Sequence, residues 1–206
     1  MSTALDEGFE ELMPTFGALS ASTSPALAWA LGWAHAIAAR IAARQGQARE
    51  ALVFLGRLVP WLERAPAWTI TFPGIAFDAA EALWLLERLD HAEIIERALR
   101  EKLLPADFRY PMADGRLALA RLCALTDRHD EALRWFGEAR RVLEEQGARP
   151  LRAIADYDEA LMFVRRTASG DADRARPLLQ AARHQFDDLG MTGWVRRAEE
   201  LHARLG

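Results

Sequence analysis

A short phrase recurs four times along this chain of 206 residues, each time between two stretches with helical periodicity. The copies begin at Gly46, Leu89, Asp127 and Gly170, and the third reads DRHDEAL in one-letter code. Each copy has the residues of a tight turn followed by those of the first turn of a helix. Self-similarity at a period of tens of residues marks a repeat protein, because one unit cannot bury its apolar face without stacking on a neighbour.

The segments between these turns are helical in pattern, and no stretch alternates between apolar and polar residues as a half-buried strand does. Glycine and proline signals divide the chain into an N-terminal segment, four helix pairs and a C-terminal helix: residues 1–24, 25–64, 75–104, 114–146, 151–189 and 192–205. A weak extra helix over residues 4–18 is compatible with the pattern. Because the turns within the pairs are short, neighbouring helices are expected to be antiparallel.

The second helices of the pairs share a pattern of small and large residues. A small or apolar anchor recurs at spacings of 43, 38 and 43, at Ala51, Ile94, Ala132 and Ala175. Four residues later an apolar residue follows, at Leu55, Ala98, Phe136 and Leu179. A small anchor lets two helix backbones approach closely, and a large neighbour fills the space beside them. The pattern therefore predicts tight packing within each pair, and most of the seven tryptophans are expected to fill space between helices.

The pattern resembles the tetratricopeptide repeat, and the third unit matches it best, through Ala120, Asp127, Ala132, Phe136 and Ala139. The spacings exceed the 34 residues usual in that family. The resemblance implies an all-α fold: a right-handed α-solenoid of about four antiparallel helix pairs plus a C-terminal helix. The whole of 1–206 would then form a single helical-repeat domain.

The stretch from Arg149 to Glu199 is similar to the helical-repeat tails of bacterial signalling proteins that carry a nucleotide-binding ATPase module, often with a cyclase or transcriptional-regulator domain. In those proteins the repeats receive signals or bind partners, and the chemistry lies in other domains. A phosphate-binding loop needs a lysine after glycine, whereas Lys102 follows Glu101. The resemblance therefore implies a non-enzymatic module that binds a protein or peptide in bacterial signalling or transcriptional regulation.

In tetratricopeptide arrays the first helix of each pair lines a concave groove. Carried over position by position, the resemblance implies a partner-binding groove that contains Trp33, Arg40, Arg44, Leu83, Glu87, Arg121 and Tyr157. Arg40 and Arg121 take the same position two units apart, and guanidinium groups on a groove suit a carboxylate or phosphate. Pairing of each arginine with a nearby aspartate or glutamate is the competing interpretation.

Charge and motifs exclude several other classes. A net charge of −4 argues against nucleic acid as an obligatory partner, because phosphate binding needs a clustered basic surface. The chain has no GxSxG, HExxH, GxGxxG or CxxC motif, so no catalytic residue, cofactor or metal is expected. The longest apolar stretch, 25–39, is shorter than the roughly 20 residues of a membrane span. We therefore expect no membrane partner and a cytoplasmic location.

Three alternatives remain open on the sequence alone. The groove could hold a small ligand, as in sensor domains of some regulators. The chain could be a helical-bundle enzyme with an unrecognised site. Finally, the exposed end of a solenoid is an apolar edge, so the chain could form homo-oligomers, with the N-terminal end as the expected contact.

Overall fold

The computed structural model describes residues 25–64, 72–107, 109–110 and 112–205. The N-terminal segment 1–24, with the weak helix expected over 4–18, lies outside these residues. Within the described residues the regular structure is helical, apart from one isolated bridge between Tyr110 and Ala113. The all-α class predicted from the sequence is therefore confirmed.

The described part of the chain contains nine α-helices, and a π-helical turn, Leu99–Leu103, directly continues the fourth. They are α1 (Pro25–Arg44), α2 (Ala48–Arg64), α3 (Phe72–Leu86), α4 (Ala92–Ala98), α5 (Gly115–Leu125), α6 (His129–Glu145), α7 (Arg149–Arg166), α8 (Asp171–Asp188) and α9 (Thr192–Ala203).

The ends of these helices lie close to those predicted from the sequence, and the differences occur where the helices contain proline. Helix α3 begins at Phe72 rather than at residue 75, because Pro73 is tolerated in a first turn whose amide has no helical acceptor. Helices α2 and α8 continue through Pro60 and Pro177. Helix α5 begins where its pattern predicts, because the Asp114 carboxylate accepts hydrogen bonds from the backbone amides at the helix start.

Two copies of the repeated phrase, those at Gly46 and Asp127, share one turn geometry. Gly46 and Asp127 both follow the first helix of a pair and both have positive φ angles, of 74° and 59°. In each case the next amide donates a hydrogen bond back over the turn: Gln47 to the Ala42 carbonyl at 2.8 Å, and Arg128 to the Cys123 carbonyl at 2.9 Å. This is the Schellman pattern, which satisfies carbonyls that the helix end would otherwise leave without donors.

The helices that the sequence pairs also pack together. Contacts join α1 with α2, α5 with α6, and α7 with α8. The first helices meet side by side as well: α1 contacts α3, and α3 contacts α5 across the proline-containing connector between the second and third pairs. Helix α9 lies against α8 and α7. The anchor residues Ala51, Ala132 and Ala175 are all fully buried, so the repeated small residues form part of one continuous core.

The left-handed position at Asp127 predicts a stability difference between two substitutions. Asp127→Gly places glycine where the first repeat already has it, whereas Asp127→Ala keeps a Cβ in an unfavourable conformation. Both lose the exposed Asp127 carboxylate, so each serves as a control for the other. We expect the glycine variant to have the larger free energy of unfolding, by about 1 kcal/mol. Urea unfolding measures this, and equal midpoints would contradict it.

Candidate functional site

Two carboxylates lie inside the most buried helix. Residues 75–84 of α3 are all buried and, apart from Asp78 and Glu81, all apolar. The side chains of these two residues are 7% and 3% exposed. Residues three apart share one face of a helix, so both carboxylates lie on one side of α3. Because a buried charge is costly unless it is paired, the fold must supply cations to this face.

Helices α1 and α5, which pack on either side of α3, supply three cations to this face. Arg40 of α1 lies 3.1 Å from Asp78, measured from Nη1 to Oδ1. Arg44, also on α1, donates from Nε to Glu81 Oε1 at 3.1 Å. From the other side, Arg121 of α5 donates from Nη1 to Glu81 Oε2 at 3.4 Å. Glu81 therefore lies between two guanidinium groups that belong to different helices.

Arg121 extends this set of contacts to α7. Its Nε donates to Asp158 Oδ2 at 2.8 Å, and the indole Nε1 of Trp84 donates to Asp158 Oδ1 at 2.9 Å. The Arg121 guanidinium also lies over the ring of Phe77, with Cζ 4.7 Å from the ring centroid. We call the six ionic residues Arg40, Arg44, Asp78, Glu81, Arg121 and Asp158 the inner network. It joins α1, α3, α5 and α7.

Burial and charge act in opposite directions on the carboxylates of the inner network. Burial raises the pKa of Asp78 to about 6, although Arg40 acts against it. Burial likewise raises the pKa of Asp158, with Arg121 acting against it. Burial would also raise the pKa of Glu81, but Arg44 and Arg121 together outweigh it and hold that pKa well below its usual range. Glu81 is therefore the most firmly ionised carboxylate of the network.

A cavity of about 140 Å³ borders the inner network. Glu81, Arg121 and Asp158 contribute to its wall. The aromatic side chains of Trp84, Tyr157 and Trp194 also line it, together with Leu85, Leu161 and Arg197. We call this space the inner cavity. It combines a paired ionic side with an aromatic and aliphatic side.

Helix α9 forms one side of the inner cavity. The ring of Trp194 lies 5.4 Å from that of Tyr157 and 5.3 Å from that of Phe186, measured between centroids. The Arg44 guanidinium of α1 lies 6.0 Å from the Trp194 ring centroid. A residue of α9 thus meets a residue of α1, the first of the described helices. Burial, together with Asp158, raises the pKa of Tyr157 to about 12, so its hydroxyl stays protonated at neutral pH.

Arg197 also lines the inner cavity, and it forms no ion pair with any of the described residues. Its guanidinium Cζ lies 5.1 Å from the Trp194 ring centroid. Within the described part of the chain, no carboxylate lies within ion-pair distance of Arg197. By contrast, Arg165, at the far side of Trp84, donates to the Trp84 carbonyl oxygen at 3.0 Å and lies 3.3 Å from Glu87.

Larger concavities lie elsewhere on the described surface. One, of about 270 Å³, lies between the end of α2 and the π-helical turn, around Leu62. A second, of about 390 Å³, lies beside the turn between α5 and α6, where it contacts His129 and Arg166. A third, of about 560 Å³, lies between α8 and α9 around Leu179 and Ala198. The inner cavity is smaller than these, but charged residues from α3, α5 and α7 that are almost fully buried meet there, and for this reason we treat it as the candidate site.

The structure places the predicted groove arginines in the inner network. Arg40 and Arg44 pair with carboxylates of α3, and Arg121 is only 1% exposed. The competing interpretation, pairing with nearby acids, thus describes their state in this structure. Leu83 is fully buried in the core. Leu83 therefore has no exposed surface in this conformation, and Arg121 contributes to the wall of the inner cavity.

The other predicted groove residues lie on both sides of this network. Trp33 on α1 is 37% exposed and lies beside the start of α3, where a Cβ at Gly74 would be 3.6 Å from its Nε1. Glu87 lies in the turn after α3 and pairs with Arg165. Tyr157 lines the inner cavity. A binding role for these residues stays a prediction.

Sequence reasoning missed the acidic half of the network and one side of the cavity. Asp78 and Glu81 were not among the predicted site residues, nor were Asp158, Trp194 and Arg197. A usable signal was present: Asp78 and Glu81 are isolated acids, three residues apart, in a helical run that is otherwise apolar. Such acids require partners in the core.

Comparison with known proteins adds no relationship, since no family model, curated protein or solved structure matches the chain. None of the described helices is both long and apolar enough to cross a bilayer. In the same residues, no group of three or more His, Cys, Asp or Glu side chains is arranged to hold a metal ion. The buried Cys123 thiol has its pKa raised to about 12 by burial, so it is not a thiolate at neutral pH.

Removal of the central charge tests the importance of the inner network. Glu81→Gln leaves the partly buried Arg44 and the fully buried Arg121 without their shared counter-charge, so we expect a loss of about 3 kcal/mol in the free energy of unfolding. Glu138→Gln is the matched control, because it breaks an exposed pair with Arg141 and should cost no more than about 1 kcal/mol. Urea unfolding at pH 7 compares them, and equal losses would show that the network does not contribute in this way.

Asp78 predicts a specific pH dependence. Its pKa is higher in the folded chain than in the unfolded one, so folding binds a proton and its contribution to stability falls as the pH rises from about 4 to about 6. Asp78→Asn has no carboxyl group at this position and therefore lacks this pH-dependent contribution to stability. The free energy of unfolding of the variant, relative to wild type, should therefore increase by about 2–3 kcal/mol over that range and then stay level. A difference that is constant from pH 4 to pH 7 would contradict this.

Proposed function

We propose that the chain is a non-enzymatic module that binds a protein or peptide. In this proposal it is a tetratricopeptide-like, right-handed α-solenoid of about four antiparallel helix pairs plus a C-terminal helix. Two observations support the architecture: three of the four repeat anchors, Ala51, Ala132 and Ala175, are fully buried, with Ile94 partly buried, and Gly46 and Asp127 form the same turn. The side-by-side packing of α1, α3 and α5 is what a groove of first helices requires.

The observation that carries the proposal is the composition of the inner cavity. It lies where α3, α5 and α7 meet α9, and aromatic side chains line it beside Arg197. Aromatic residues and arginine are the types most enriched where proteins bind one another. The inner network fixes the helices behind these side chains, and a site on rigid elements loses less entropy when it binds.

The cellular context of the proposal rests on the resemblance of residues 149–199 to repeat tails of bacterial signalling proteins. In such proteins the repeats bind partners while other domains perform catalysis. We accordingly assign this chain to bacterial signalling or transcriptional regulation in the cytoplasm, without a catalytic role.

Two alternatives are favoured by specific features. A small-ligand sensor is supported by the inner cavity itself, which is bounded by α3, α5, α7 and α9. Self-association through the N-terminal end is supported by Trp33 and Val53, which are 37% and 50% exposed on α1 and α2. Sedimentation over a range of chain concentrations detects self-association directly.

Two adjacent arginines of α9 allow a sharp test of the proposal. Arg197 lines the inner cavity, whereas Arg196 is on the outer surface with its side chain 77% exposed. We would immobilise the wild-type chain, Arg197→Ala and Arg196→Ala, and quantify the proteins captured from a lysate of the organism that encodes the chain.

We expect a partner whose capture falls at least about tenfold in Arg197→Ala, equivalent to about 1.4 kcal/mol, and stays unchanged in Arg196→Ala. If no protein is enriched over empty matrix, or if both variants capture every partner equally, binding of a protein at this site is rejected.

A further inference from the structure

The volume of the inner cavity limits what enters it. At about 140 Å³ it is close to the engineered protein cavity of about 150 Å³ that admits benzene. Three aromatic side chains line it, Trp84, Tyr157 and Trp194, with Leu161 as an aliphatic neighbour. Aromatic rings pack favourably edge-to-face or offset against one another. The space and its lining therefore suit a single six-membered aromatic ring.

The charged groups around the inner cavity determine whether it favours a positively or a negatively charged ligand. Glu81 is paired with Arg44 and Arg121, and Asp158 accepts hydrogen bonds from Arg121 and Trp84, so both carboxylates are already satisfied. Arg197 adds one positive charge that no carboxylate of the described residues balances. It lines the cavity and is partly exposed, so it is accessible to an anion there.

A cationic ligand fits poorly. A cation is best held over an aromatic face, but in the inner cavity the Arg197 guanidinium already lies 5.1 Å from the ring centroid of Trp194. A doubly charged phosphate would exceed the single unbalanced charge and would approach Asp158 and Glu81. A monoanion with planar geometry, which a guanidinium binds through two parallel hydrogen bonds, is the better match.

From these observations we propose that the inner cavity binds an aromatic carboxylate, with a benzene-sized ring inside the cavity and the carboxylate on Arg197. Tyr157 also lines the cavity, and its hydroxyl is a further potential hydrogen-bond donor. The same chemistry occurs in a free aromatic acid and in the C-terminal phenylalanine of a peptide. This inference rests on the proposed function, since it names the chemistry that the binding site recognises.

Calorimetry on the full chain tests the inference with defined probes. Phenylacetate represents the free acid, and acetyl-Gly-Gly-Phe with a free C-terminal carboxylate represents the peptide. Acetate lacks the ring, and phenylacetamide and the amidated peptide lack the charge. The expected result is binding of at least one of the two carboxylate probes, at least about tenfold more tightly than acetate and than its own amide.

The α9 variants assign the binding to the inner cavity. Arg197→Ala should lower the affinity for the carboxylate probe at least about tenfold. Arg197→Lys should lower it less, because lysine keeps the charge but loses the paired hydrogen bonds. Arg196→Ala should leave the affinity unchanged. Thermal unfolding confirms that each variant is folded.

The two arms distinguish the source of the ligand. Tighter binding of phenylacetate indicates a free acid, and tighter binding of the peptide indicates a protein C-terminus. The inference is overturned if neither carboxylate probe binds with a Kd below about 1 mM, or if Arg197→Ala binds as wild type does. Its failure is separable from that of the proposed function, because capture of a protein in an Arg197-dependent way does not require an aromatic carboxylate.

Discussion

The placement of Glu81 between Arg44 and Arg121 is the interaction on which the rest of the structure depends. One carboxylate, almost fully buried, is shared by guanidinium groups from α1 and α5, so three first helices must meet at one register. A core made only of alanine and leucine tolerates small slips of one helix along another. A buried charge does not, because each displaced partner leaves an uncompensated ion in the interior.

The same network explains why this surface combines ionic and aromatic character. The acids of α3 and α7 use up the cations of α1 and α5, so their charges cancel within the interior. Arg197 comes from α9, and no carboxylate of the described residues lies within ion-pair distance of it. Trp194 comes from the same helix and covers the remaining apolar side of the cavity.

Local features of the fold were predictable from the sequence, and long-range features were not. The turns at Gly46 and Asp127 depend on residues within a few positions, so the repeated phrase indicated them correctly. The pairing of Arg121 with Glu81 joins residues 40 positions apart and depends on how helices stack. The tetratricopeptide pattern selected Arg121 as a groove residue from its position alone, and its burial became evident only when α3 and α7 were in place.

The contact between Arg44 and Trp194 has a consequence for how the chain loses its structure. In a stack of helix pairs where each pair contacts only its neighbours, the terminal pairs fray independently of the centre. Here α1 and α9, the first and last of the described helices, meet through a guanidinium and an indole ring. Detachment of either helix removes a neighbour from the other, so loss of structure in one is coupled to loss of structure in the other.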